Sequence, residues 1–177
     1  TNHSYFNLNG DPSISSMNQV LYLAADSITP VDDTFMTNGN MMAVTGTPFD
    51  FNTPKSIDQD VTNFDNEQIK FGKGFDHNWV LKTKGDIHQV AAQLTSPNTG
   101  ITLEVYTDEP GIQVYTGNFL DGTVKGKKGI VYPQRASVCL ETQHYPDSPN
   151  KKHWPSVVLE PGKTYTSHCI FKFGVIK

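Results

Sequence analysis

Alternation with a period of two, broken repeatedly by turn formers, constrains this chain more than any other feature. In residues 101–106, Ile101, Leu103 and Val105 share one face and Thr102, Glu104 and Tyr106 the other. Residues 111–115 repeat the pattern, with Ile112 and Val114 opposite Gln113 and Tyr115, and residues 136–142 set Val138 and Leu140 against Ser137, Cys139 and Glu141. Successive side chains of a strand point to opposite faces, so such runs predict half-buried antiparallel strands. Composition agrees. Val, Ile and Thr number 42 and the aromatics 19, against 15 for Ala and Leu together. β-branched and aromatic side chains suit a pleated surface, whereas Ala and Leu favour helices. Gly, Pro, Asn and Asp make up 51 of the 177 residues, enough to turn the chain every few positions. The prediction is one all-β domain, a sandwich or barrel.

Further strands are predicted at residues 20–25, ended by Asp26 and by Thr29-Pro30, and at residues 41–44, 79–81, 89–94 and 164–173. Residues 52–74 lack periodicity and are assigned to a long surface connection with one helical turn near residues 57–61. No helical stripe is long enough for a βαβ crossover. Several function classes fall away. No apolar run approaches the roughly 18–20 residues of a membrane span. A net charge of −4 and a single arginine, Arg135, argue against nucleic acid, whose affinity rests on Lys and Arg at phosphates. The one basic cluster, Lys125-Gly126-Lys127-Lys128, is assigned to a solvated turn. Cys139 and Cys169 are too few for a disulfide framework; free thiols are expected, with one bridge between them as the alternative, which leaves the redox compartment open.

The motifs of phosphate loops, zinc hydrolases and serine hydrolases are missing, and the six histidines show no metal-ligand spacing. What stands out instead is polar residues set into apolar strands. Glu141 lies in Val138-Cys139-Leu140-Glu141-Thr142, where a carboxylate needs a partner or a task unless it lies on a solvated outer face. Asp76-His77-Asn78-Trp79 places three hydrogen-bonding groups beside an indole, and Gln113 shares a face with Tyr115. Carboxylates and amides suit sugar hydroxyls, and aromatic rings suit the apolar face of a pyranose. Together these residues point to a carbohydrate site. The dense opening Thr1-Asn2-His3-Ser4-Tyr5-Phe6-Asn7-Leu8 is unusual for a terminus and reads as a position inside a longer protein.

Five segments taken in order carry a resemblance: residues 1–8, Val44-Thr45-Gly46-Thr47-Pro48-Phe49-Asp50-Phe51, Phe75-Asp76-His77-Asn78, Tyr115-Thr116-Gly117-Asn118-Phe119, and Cys139-Leu140-Glu141-Thr142-Gln143-His144-Tyr145-Pro146-Asp147. The chain resembles the aldose 1-epimerase (galactose mutarotase) family along its whole length. That resemblance implies a large antiparallel β-sandwich, here without its N-terminal half, and interconversion of the α and β anomers of free hexoses without cofactor or metal. Carried over by position, it implies His3 as general acid, Glu141 as general base, and Asp76 and Gln113 as substrate contacts. It also implies a monosaccharide substrate, no nucleic-acid or membrane partner, and an upstream half of the same protein that brings an Asn-Arg pair and another histidine. A cytoplasmic location is expected, with export left open. Two other functions compete. A non-catalytic sugar-binding module has no use for both His3 and Glu141, and an epimerase of phosphorylated hexoses calls for the arginine forks that a lone Arg135 does not supply.

Overall fold

Two antiparallel sheets account for all the strands of the computed structural model, which describes residues 1–176. In chain order the elements are β1 (Tyr5–Phe6), β2 (Val20–Leu23), β3 (Ala25–Thr29), β4 (Met42–Ala43), β5 (Lys55–Ser56), the short helix α1 (Glu67–Gly72), β6 (Asp76–Leu81), β7 (Ala92–Thr95), β8 (Ile101–Thr107), β9 (Gly111–Tyr115), β10 (Val138–Gln143) and β11 (Cys169–Val175). One sheet runs β1-β10-β9-β6-β3-β4 and the other β11-β8-β7-β2-β5. The alternation read from the sequence sorts the faces as expected. Leu103, Val105, Ile112, Val114, Val138 and Leu140 are fully buried in one shared core. At its centre Phe49, Phe51, Phe75 and Trp79 meet edge to face or tilted, with ring centroids 5.3–6.1 Å apart. The Trp79 indole donates to the Phe49 carbonyl at 3.0 Å. Among the described residues, no helix is long and apolar enough to cross a membrane.

Three stretches depart from the sequence prediction. Residues 20–25 are two strands in different sheets. Ala24, between them, donates to the Ala91 carbonyl and accepts from the Lys82 N–H, each at 2.9 Å, and so ties both sheets together at the crossing. Asp26 does not end the second strand; the register shifts there between Ala25 and Ser27, and β3 continues to Thr29. Residues 52–74 are more than a surface connection. Ile57, Val61 and Ile69 are buried, residues Ile57–Gln59 form a 3-10 turn, and α1 follows, capped by Asn66 Oδ1 accepting from the Gln68 and Ile69 N–H groups. A six-residue helix is too short to show a 3.6-residue stripe. The predicted strand at 164–173 begins only at Cys169. Residues upstream of it are held by side chains of the β8–β9 turn instead. Glu109 accepts from the hydroxyls of Tyr165 and Ser167, and Asp108 from the backbone and ring of His168.

The start of β6 is fixed by a buried polar clamp. Asn118 Nδ2 donates to the carbonyls of Gly72 and Phe75, both at 2.9 Å, while Thr116 Oγ1 accepts from the Phe75 N–H at 3.1 Å and donates to Asn118 Oδ1 at 2.7 Å. Gly74, at φ +137°, lets Asn118 approach this closely; a Cβ there would collide with the Asn118 amide. The clamp sets where Asp76 begins its strand.

His77 points into the core rather than joining the polar face with Asp76 and Asn78. It is fully buried, its ring sits 4.9 Å from Phe49, and Nδ1 accepts the Asp76 N–H at 3.1 Å. Burial pushes this imidazole down to about 3 from its ordinary 6.5. The folded state therefore binds fewer protons than the unfolded chain between those values, and this share of stability is lost as pH falls through that window. Chemical unfolding at pH 6.5 and at pH 5 should show a loss of about 1.5–2 kcal/mol from this residue. In His77→Leu that part of the acid sensitivity should vanish; an unchanged pH slope in the variant would contradict a neutral, buried His77.

Candidate active site

The registers of the six-stranded sheet line up side chains in rows across its outer face. Tyr5 pairs with Cys139, Cys139 with Tyr115 and Tyr115 with Asp76. In the next row Glu141 pairs with Gln113, Gln113 with Asn78 and Asn78 with Thr29. Continuing the β1–β10 register places residue 3 opposite residue 141. The His3 ring indeed reaches Glu141, with Nε2 to Oε1 at 3.3 Å. Asn2 Oδ1 accepts the Ser4 N–H at 2.9 Å and turns the chain here. His3 stacks on Tyr5 at 4.9 Å and meets the edge of Tyr115 at 6.2 Å, so two aromatic rings hold the imidazole.

These rows form the wall of a cavity of about 520 Å³, within the range typical of small-molecule sites. His3, Asp76, Gln113 and Glu141 all line it. Gln113 Nε2 donates to Asp76 Oδ1 at 2.8 Å, which leaves the other carboxylate oxygen of Asp76 for a ligand. Sequence reasoning missed the rim. Phe35 and Phe119 meet edge-on at 5.9 Å, and Phe119 stacks on Tyr115 at 6.4 Å. The Tyr115 hydroxyl accepts the Phe119 N–H at 2.9 Å and secures this loop. Phe35 lies in a loop with no periodicity, so only its aromatic type could have drawn attention.

Two carboxylates of like sign share this partly dry space. Burial raises the Glu141 carboxyl above the ordinary glutamate range; His3 pulls it back and Asp76 pushes it up further. Asp76 is likewise raised by burial, with the Gln113 hydrogen bond and then His3 opposing. Burial and the neighbouring Glu141 carry the Cys139 thiol far above its ordinary value, so it stays protonated and poorly nucleophilic. Such a set can remove a proton from one oxygen and deliver one to another close by, beside fixed acceptors for hydroxyl groups.

A family described as aldose 1-epimerase matches residues 1–172. The chain belongs to that family. It is 43% identical over 175 residues to human galactose mutarotase and 39% identical over 175 residues to the aldose 1-epimerase of Escherichia coli K12, covering 99% and 98% of this chain. A solved aldose epimerase homologue from C. elegans superposes with a TM-score of 0.85 at 30% identity over 99% of this chain and 50% of that one. The fold is thus the β-sandwich of the aldose 1-epimerases, as predicted. The chain spans about half the length of the curated relatives it matches, 49% in each case.

The Gln113–Asp76 bond makes a direct electrostatic statement. In Gln113→Leu the half-buried Asp76 loses the donor that stabilises its charged form, so its carboxyl should titrate at higher pH than in the parent protein. A carbon-detected NMR titration of Asp76 reads this, and no upward movement would mean that the amide does not hold the carboxylate.

Proposed function

We propose that this protein, in its full-length form, is an aldose 1-epimerase that interconverts the α and β anomers of free hexoses such as galactose and glucose. The carrying observation is the His3–Glu141 contact at 3.3 Å inside a cavity that also holds the Asp76–Gln113 pair. Mutarotation needs a proton removed from the C1 hydroxyl and one given to the ring oxygen. Both oxygens are bonded to C1, so an acid and a base on opposite sides of the sugar ring can serve them from one site. Glu141 takes the hydroxyl proton as His3 protonates the ring oxygen; the C1–ring-oxygen bond breaks and leaves an aldehyde. Rotation about C1–C2 followed by closure, with both proton transfers reversed, gives the other anomer. Asp76 and Gln113 hold sugar hydroxyls, and Gln113 also keeps the Asp76 carboxylate in place. Positioned acid–base groups contribute about 10²–10⁴-fold each.

The reading with phosphorylated hexoses finds no support in this cavity. Arg135 is not among its lining residues; its guanidinium donates to the Lys73 carbonyl at 3.1 Å. A non-catalytic sugar module leaves the close acid–base pair unexplained. We further propose that residues 1–177 are one unit, the C-terminal part of an aldose 1-epimerase domain, whose site is completed by an upstream half. The 49% coverage of relatives supports this, as do Phe173 and Val175 of β11, each more than half exposed. A cytoplasmic compartment is the proposed setting, with which the two unpaired thiols, Cys139 and Cys169, are compatible.

Polarimetry of freshly dissolved α-glucose and α-galactose tests the activity. Glu141→Gln in the full-length protein should lower kcat by about 10²–10⁴-fold while KM moves only a few-fold, and His3→Gln should behave alike. Near-normal turnover in Glu141→Gln would sink the acid–base assignment. Residues 1–177 expressed alone should be poorly soluble and essentially inactive, with solubility and anomer exchange restored by co-expression of the upstream half. Full turnover by the 177-residue chain would refute the need for that half.

A further inference from the structure

The acid–base reading leaves Cys139 without a task, although it shares a strand face with Glu141, two positions away, and lies fully buried between Tyr5 and Tyr115 of the neighbouring strands. Its sulfur, the ring nitrogen of His3 and a carboxylate oxygen of Glu141 all lie within 4.8 Å of one another. A thiol, an imidazole and a carboxylate are the three side-chain types zinc uses. We propose that His3, Cys139 and Glu141 form an inhibitory binding site for a borderline-soft divalent cation such as Zn²⁺, overlapping the catalytic pair. The inference rests on the mutarotase reading of His3 and Glu141 but assigns the site a further ligand.

The distances suit the ion. Zinc bonds of about 2.0–2.2 Å to nitrogen and oxygen, at tetrahedral angles, put the two ligand atoms about 3.3 Å apart. His3 Nε2 and Glu141 Oε1 are separated by 3.3 Å. A zinc–sulfur bond of about 2.3 Å calls for a sulfur about 3.6 Å from each of those atoms. Within the 4.8 Å span this is a closure of little more than 1 Å at each atom, shared between rotation of the half-exposed His3 ring and of the Glu141 carboxylate. The fourth position is open to water. On binding, the cation displaces the Cys139 proton to solvent, as thiolate ligation requires, and holds both catalytic side chains away from the sugar. Hard cations that prefer oxygen ligands should not compete, because a thiol and an imidazole offer them little. The six histidines gave no hint of this site, because its ligands come together only through the pairing of β1 with β10.

Two measurements on the full-length protein test it, with Cys169→Ser as the background that removes the exposed thiol. Polarimetry with added Zn²⁺ should show inhibition that rising sugar concentration overcomes, and Mg²⁺ at equal concentration should have no effect. In Cys139→Ser the zinc-free rate should stay within about threefold, while the half-inhibitory zinc concentration rises at least about 10–100-fold, the range that even outer-shell changes produce. Binding of one equivalent of Co²⁺ should produce a thiolate-to-cobalt charge-transfer band that Cys139→Ser abolishes. This band is independent of any sugar chemistry, so it separates failure of the metal site from failure of the mutarotase assignment. Cys139→Ala serves should the serine variant fold poorly. Zinc inhibition undiminished in both variants, or cobalt bound without a thiolate band, would overturn the proposal.

Discussion

The site depends on one strand keeping its register. β10 lies between β1 and β9 and pairs antiparallel with both, so its parity decides which residues face the cavity and which the core. A slip of one residue would turn Leu140 outward and bury Glu141 among the apolar side chains, because strand faces alternate with every residue. Val138 and Leu140 prevent it; both are fully buried, and moving either into water would forfeit about 1.5–3 kcal/mol of apolar burial. The residues that place the proposed base are therefore its neighbours that do no chemistry. The same pairing brings His3 to Glu141, although 138 residues separate them in the sequence.

How much of this was legible follows from which interactions are local. Alternation within β8, β9 and β10 can be seen in five to seven consecutive residues, and the faces predicted for them are the faces observed. Glu141 could be singled out because a carboxylate between Leu140 and Thr142 contradicts its surroundings. His77 shows how a local reading fails: it was grouped with Asp76 and Asn78 by chain proximity, whereas strand parity puts it on the Trp79 side, in the core. Ala24 carries no sequence signal for a switch between sheets, because the switch is made by backbone hydrogen bonds to Ala91 and Lys82. The aromatic rim of Phe35 and Phe119 and the approach of Cys139 to His3 are wholly non-local. No window of the sequence contains both partners.

The clamp around Asn118 shows a buried polar network used to position the site rather than to add stability. Apart from the Thr116–Asn118 contact, its bonds are to the backbone at the α1–β6 junction, and the Asn118 amide satisfies the Gly72 carbonyl in a dry interior. Rigid support of this kind matters because a misplacement near 1 Å can cost about 10²-fold in rate. Thr116 and Asn118 lie in the same loop as Phe119, so the loop that closes the rim also fixes the strand that presents Asp76.

The electrostatics of the cavity suit a reaction that must run equally well in both directions. A mutarotase has anomers of similar energy on either side, so its base must return the proton as readily as it takes it. An ordinary carboxylate exposed to water holds protons too weakly to do this near neutrality. Burial of Glu141 and the nearby charge of Asp76 raise its affinity for a proton, while His3 keeps the rise in check. Asp76 thereby has two effects on the proposed reaction, as a hydroxyl acceptor and as a like charge tuning the base. The cost is two carboxylates held in one partly dry cavity, which the fold sustains because its stability lies elsewhere, in the aromatic centre formed by Phe49, Phe51, Phe75 and Trp79 between the sheets.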